Sequence, residues 1–195
     1  MGVIITPEFR MSFPSLFEPN TYGGKTKYML TMIFAAGTDL TELERAIVAE
    51  MQKKWPDQSV WQRLYQPLRK GSEKPGIDGI TPDCRFARAK SNNKPEVIGP
   101  DKRPLTDQSK IYGGCYARAS VTAYAFENET KGVALALNNV MKTRDGEPFG
   151  SRTNAADDFA NVESAAGGAD ALFGKAEQSD TSGLFGNNNP DDVPF

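Results

Sequence analysis

The stretch Cys115-Tyr116-Ala117-Arg118-Ala119-Ser120-Val121-Thr122-Ala123-Tyr124-Ala125-Phe126 decides the fold. Its odd-numbered positions, Cys115, Ala117, Ala119, Val121, Ala123 and Ala125, are small and apolar. Its even-numbered positions carry rings, hydroxyls and one guanidinium. Successive residues of a strand face opposite sides of a sheet, so this period of two predicts a strand over 111–127. The small face packs inward, and the other presents Tyr116, Arg118, Tyr124 and Phe126 to solvent or a groove. Residues 131–142 follow through a turn near Asn128 and read as its partner, with Val133, Leu135 and Leu137 on the apolar face.

The same period appears upstream. Phe9, Met11 and Phe13 alternate with Glu8, Arg10 and Ser12 within an extended segment at 3–17. Pro7 and Pro14 mark that segment as an edge or bulged strand, because proline cannot donate to a ladder. Residues 20–24 read as a loop, and 27–36 as a strand with Tyr28, Leu30, Met32 and Phe34 on one face. The period then changes. Leu40, Leu43, Ile47, Met51 and Trp55 recur every three or four residues, the stripe of an amphipathic helix over 39–55. Thr38 or Asp39 caps it, Lys53 and Lys54 complement the dipole at its end, and Pro56 stops it. Residues 56–110 are loop-rich and basic, with short strands expected at 60–66, 84–90 and 95–98. The expected fold is mainly β with one clear helix.

Composition changes beyond Arg152. Residues 153–195 carry eight acids and one base, a formal −7, whereas 1–152 carry 22 Lys/Arg and 17 Asp/Glu, a formal +5. The summed −2 conceals a basic body and an acidic tail, an asymmetry associated with nucleic-acid interaction. The tail is rich in Ala, Gly, Asn and Ser and lacks hydrophobic periodicity, so it is expected to remain disordered. Residues 1–152 are the expected domain. The chain ends on Asp191-Asp192-Val193-Pro194-Phe195, acidic charge beside an apolar anchor, which suits a partner pocket with a basic rim and apolar floor.

The 195 residues include no histidine and two cysteines, Cys84 and Cys115. Ser-His-Asp and Cys-His catalysis are excluded, and the cysteine spacing fits no zinc motif. No apolar run is long enough to span a membrane, and the thiols suit a reducing cytosol. Gly23-Gly24-Lys25-Thr26 ends like a phosphate-binding loop, but Pro19 occupies the position of its first glycine and a strand follows instead of a helix. Asp157-Asp158 and Asp191-Asp192 lie in sequence without the rigidity that a metal site requires. No cofactor, metal or catalytic residue is expected.

Cations interleaved with rings are the stronger signal. Arg85, Phe86, Arg88 and Lys90 share one segment; Lys110, Tyr112, Tyr116, Arg118, Tyr124 and Phe126 lie on or beside the deciding strand; Lys25 and Lys27 precede another. Single-stranded nucleic acid is held by cations along its phosphates and rings stacked on its bases. Any one of these rings is, by residue type alone, more often core packing than a base platform.

A basic β domain followed by an acidic tail ending Asp-Asp-Val-Pro-Phe resembles single-stranded DNA-binding proteins. The tip is similar to the Asp-rich Ile-Pro-Phe terminus of bacterial examples, with two adjacent acids and Val in place of Ile. The body resembles a phage and prophage family of such proteins, in segments such as Phe13-Pro14-Ser15-Leu16-Phe17 and Lys142-Thr143-Arg144-Asp145-Gly146. The resemblance implies an OB-fold, a partly open antiparallel barrel, in a non-enzymatic protein of the bacterial host cytoplasm. It implies single-stranded DNA as partner, and a tail that masks the groove and recruits replication, recombination and repair proteins. An exposed edge strand or a swapped tail offers a route to a homodimer. The competing readings are a DNA-end processing or nuclease subunit, which needs a rigid carboxylate cluster, and a structural phage protein with a partner-binding tail.

Overall fold

The computed structural model describes residues 2–22 and 24–150. The acidic stretch 153–195 and its Asp191–Phe195 tip lie outside the described residues. In chain order the elements are β1 (Ile4–Ile5), β2 (Phe9–Tyr22), β3 (Lys25–Phe34), α1 (Thr41–Lys54), β4 (Leu68–Lys70), β5 (Arg85–Ser91), β6 (Glu96–Ile98), β7 (Tyr116–Glu127) and β8 (Lys131–Arg144).

β7 behaves as its period requires. Ala117, Ala119, Val121 and Ala123 are buried, while Arg118 and Tyr124 are exposed. It pairs antiparallel with β8 along its whole length, from Tyr116↔Arg144 to Glu127↔Lys131. Val133, Leu135 and Leu137 join the same core. The strand begins at Tyr116 instead of 111 because of Gly114. That residue has φ +116°, and a Cβ there would lie 2.1 Å from the Glu147 carbonyl oxygen. Only glycine accepts both the conformation and the close approach.

β2 pairs with β3, β3 with β5, β5 with β8, β8 with β7, and β7 returns to β2. Five strands thus make a ring closed by two short seams. β2 and β7 share register at Phe9↔Ala117 and Arg10↔Tyr116. The parallel β5–β8 seam runs through Ala89↔Leu135 and Lys90↔Ala136. The result is a partly open, OB-like barrel. Alanines at 87, 89, 117 and 119 leave room inside for Phe9 and Phe34, whose rings meet edge to face at 5.9 Å. α1 lies against β7, β8 and β1 and contributes Leu43, Ile47 and Met51 to the core. The Asp39 carboxylate anchors its start, accepting the Thr41 amide at 3.0 Å and the Thr41 hydroxyl at 2.6 Å.

Three expectations need correction. Residues 60–66 form no strand, since Gln58–Arg63 is a 3-10 helix begun by the Asp57 carboxylate on the Ser59 amide. The loop expected at 20–24 is mostly strand, because the β2–β3 hairpin continues to Tyr22↔Lys25. Phe13 leaves the inward series of Phe9 and Met11. Register shifts between Ser12 and Ser15 and between Ser15 and Asn20 bulge β2 at its prolines, and Phe13 is 59% exposed.

Candidate nucleic-acid interface

The outward faces of β3 and β5 are set by register. Thr31 pairs with Arg88 and Met29 with Lys90, while the intervening Leu30 and Ala89 point into the barrel and are fully buried. Arg88 and Lys90 therefore stand side by side on the outer face. Beyond them the β7–β8 hairpin rises, carrying Tyr124 and Phe126. Opposite stands a wall from the segment between α1 and β5, with Tyr65, Arg69 and Lys74. Together these side chains bound an open groove of about 520 Å³. No carboxylate lines it among the described residues.

The wall is held by backbone. The Tyr65 amide donates to the Lys131 carbonyl at 2.9 Å, and the Val133 amide donates to the Tyr65 carbonyl at 3.0 Å. This bridge crosses Gly132, where a Cβ would lie 2.3 Å from the Tyr65 oxygen. Only a residue without a side chain lets the wall dock. It brings the Tyr65 ring to 6.1 Å from Phe126. Tyr65 and Tyr124 keep 44% and 36% of their surface exposed, so neither ring is consumed by packing.

The groove is electrostatically positive. Burial, followed by the like charges of Arg88 and Lys27, pulls Lys90 below its ordinary lysine pKa. Lys27 adjoins this group and donates to the Asn92 side-chain carbonyl. Arg69 is paired with Glu73 at 2.8 Å and lies over the Phe86 ring at 5.7 Å. Lys25, Lys27, Lys74, Arg88 and Lys90 have no ion pair among the described residues. These five like charges on the hairpin and groove repel one another.

The residues proposed from sequence divide into two sets. Arg88, Lys90, Tyr124 and Phe126 come together in the groove, with Lys27 near Lys90 and Lys25 further along β3 at the end of the β2–β3 hairpin. Phe86 shows only an edge there. It is 8% exposed and packs with Ile33 and Cys84, so it is mainly a packing residue. Arg85 has the inward parity of Ala87 and Ala89 and reaches Glu44 of α1 at 3.5 Å, away from the groove.

Lys110, Tyr112, Tyr116 and Arg118 also lie elsewhere. Eight residues separate Tyr116 from Tyr124, about 26 Å along a strand. At its far end the Lys142-Thr143-Arg144-Asp145-Gly146 segment forms a clasp. Lys142 is buried, donating to the Lys110 carbonyl at 2.8 Å and to Asp145 at 2.6 Å. The Tyr112 hydroxyl donates to Asp145 and Gly146 oxygens at 3.0 and 2.9 Å. The Arg144 guanidinium covers the Tyr116 ring at 3.3 Å while binding Glu8 at 2.8 Å. Both tyrosines are occupied in folding. Arg118 sits beside Ile5, Glu96 and Asn139, between β1 and β6.

Sequence reasoning missed Tyr65, Arg69 and Lys74 as groove residues. A glycine inside a strand often marks close backbone approach, so Gly132 was the available signal for the wall.

An OB-like barrel with a cationic, ring-lined groove, free of lining carboxylates among the described residues, has the features of oligonucleotide-binding domains. Over residues 2–170 the sequence matches the family described as Enterobacter phage Enc34, ssDNA-binding protein, and the chain belongs to that family. It is 30% identical over 154 residues to protein p50 of Acyrthosiphon pisum secondary endosymbiont phage 1, covering 72% of this chain and 82% of p50. Its fold is similar to that of the single-stranded DNA-binding protein from bacteriophage Enc34 in complex with ssDNA, with TM-score 0.63 and 22% identity over 76% of this chain and 90% of the other. It is also similar to gp2.5, the single-stranded DNA-binding protein encoded by bacteriophage T7, with TM-score 0.57 and 9% identity over 79% of this chain and 98% of that one.

Among the described residues no helix is long and apolar enough to cross a membrane. Nor are three His, Cys, Asp or Glu side chains grouped as metal ligands would be.

Proposed function

We propose that this chain binds single-stranded DNA without sequence preference, with residues 1–152 as the binding body, and that it acts by binding and not by catalysis. The observation that carries this reading is the groove itself: Lys74, Arg88 and Lys90 beside Tyr65, Tyr124 and Phe126, with no carboxylate lining it among the described residues. Cations track phosphates, and each ring offers a face that any base can stack on. Family membership supports the same ligand, as does the likeness to a fold solved in complex with ssDNA. The host cytoplasm, where phage DNA is copied and recombined, is the compartment this activity implies.

Oligo-dT titration of Tyr124→Ala tests the groove. One lost stack is worth about 1–3 kcal/mol, a weakening of about 5- to 150-fold. Unchanged affinity in a folded variant would remove the ring from the site.

The acidic stretch 153–195 takes a second role in this proposal. A formal −7 tethered to a +5 body competes with DNA for the groove at low salt. The Asp191-Asp192-Val193-Pro194-Phe195 tip, released when DNA occupies the groove, then serves as a handle for replication and repair proteins. Deleting 153–195 is expected to tighten DNA binding at low salt; unchanged or weaker binding contradicts the competition.

A further inference from the structure

Phe13 belongs neither to the core nor to the groove, and its conformation is unusual. Its φ is +47°, a region that bulky side chains rarely enter. It also precedes Pro14, a position that normally holds a residue in extended backbone. Such outliers persist only where the surrounding structure over-determines them, and they cluster at ligand sites. The strain does nothing for packing here, because 59% of the side chain is exposed.

The register shows where this ring stands. Ser12 pairs with Thr31, which pairs with Arg88; Ser15 pairs with Met29, which pairs with Lys90. Phe13 and Pro14 are the two residues inserted between these rows, opposite the single residue Leu30. A regular strand would place one residue opposite Leu30 and turn it, like Leu30, into the barrel. The bulge supplies an extra residue, and Phe13 is thrust outward. Adjacent strands are about 4.8 Å apart, so Phe13 on β2 lies about 10 Å across the sheet from the Arg88–Lys90 pair.

We infer that Phe13 is a base-stacking platform that extends the single-stranded DNA path from the groove across β3 to β2. The inference rests on the single-stranded DNA reading above. A strand leaving Tyr124 passes the two cations of β5 and then meets, on the far side of β3, an aromatic face held open to solvent. Of the outer residues of β3 between them, Thr31 is buried and Met29 half-buried, so the crossing runs over Met29, which carries no charge to turn the strand aside. The bulge therefore serves function: it takes an aromatic out of the barrel and holds it on the sheet's outer face. The Phe13-Pro14-Ser15-Leu16-Phe17 segment then divides its tasks, with Leu16 buried in the core and Phe17 beneath Lys94 at 5.9 Å.

The test uses the full chain with Phe13→Asn and Phe13→Tyr, titrated against oligo-dT of increasing length. Asn tolerates positive φ, so Phe13→Asn is expected to hold or raise the melting temperature while weakening binding to long oligo-dT about 5-fold or more. Oligomers too short to leave the groove should bind both forms equally. Phe13→Tyr should bind like the unmodified protein. Wild-type affinity of Phe13→Asn at every length overturns the inference. So does equal weakening at every length, or weak binding by Phe13→Tyr, since either points to a structural role. If Tyr124→Ala fails in parallel to weaken binding, or the unmodified chain ignores oligo-dT, the groove reading itself falls; a loss with Tyr124→Ala alone overturns only the Phe13 extension.

Discussion

Replacing Gly132 by alanine probes how the groove is built. The new Cβ would lie 2.3 Å from the Tyr65 carbonyl oxygen and 2.7 Å from its amide nitrogen and Cβ, all well inside contact distance. Either β8 or the Tyr65 segment has to move. Movement breaks the two backbone hydrogen bonds that straddle this position, at 2.9 and 3.0 Å. Each is worth about 1 kcal/mol net, so the loss is about 2 kcal/mol. Removing a glycine also stiffens the unfolded chain, which returns about 0.5 kcal/mol. The net of about 1.5 kcal/mol lowers the melting temperature of a body this size by about 3–6 °C. The larger effect falls on function. Tyr65 withdraws from Phe126 and from the groove rim, and a displaced stack weakens oligo-dT binding by about 5- to 150-fold. Thermal unfolding and fluorescence titration measure the two effects separately. Tyr65→Ala should reproduce the affinity loss with a smaller change in melting temperature. A Gly132→Ala protein with unchanged melting temperature and affinity would refute the claim that the bridge holds the wall.

Two further predictions concern charge. DNA phosphates should raise the depressed pKa of Lys90, so binding takes up a proton at alkaline pH, and affinity should fall as pH rises through the free-protein value; Lys90→Arg should abolish this dependence in titrations across the alkaline range. Hydrogen bonds from Thr143, then from Arg144, hold the Glu8 carboxyl below its usual value. A depressed folded pKa gives stability that is present above the unfolded value of about 4.3 and lost as pH falls through the folded one. Glu8→Gln should lower the melting temperature at neutral pH by a few degrees, about 1 kcal/mol for this half-exposed pair, and lessen the difference between neutral and acidic pH.

Local periodicity made the long strands and the helix legible before the structure, and the barrel followed from the family resemblance. The two faces of β7 were readable because each follows from alternation alone, and the stripe of α1 because 3.6-residue spacing leaves few alternatives. Of the cations and rings picked out in the sequence, Arg88, Lys90, Tyr124 and Phe126 do meet in one groove. Tyr112 and Tyr116 lie outside the groove, held by partners distant in sequence. Asp145 and Arg144 claim them only after β8 has paired with β7, and nothing in a strand's own alternation reports which ring will be covered. Tyr65 was missed for the complementary reason: a backbone bridge over Gly132 places it, and its own neighbourhood reads as loop. Phe13 shows the limit of alternation itself. Bulges at Pro14 and Pro19 shift the parity, so a ring assigned to the core ends up in solvent.

Salt-dependent titration with oligo-dT and with duplex DNA, without divalent metal, tests the central claim most directly. On the proposed reading Lys25, Lys27, Lys74, Arg88 and Lys90 would each contact one phosphate, and each such contact contributes about −0.7 to the slope for a single strand. The account predicts a slope of log K against log salt near −3.5 for oligo-dT, binding to duplex weaker at every salt concentration, and no cleavage of either. Equal affinity for duplex, or oligo-dT binding that ignores salt, would contradict it.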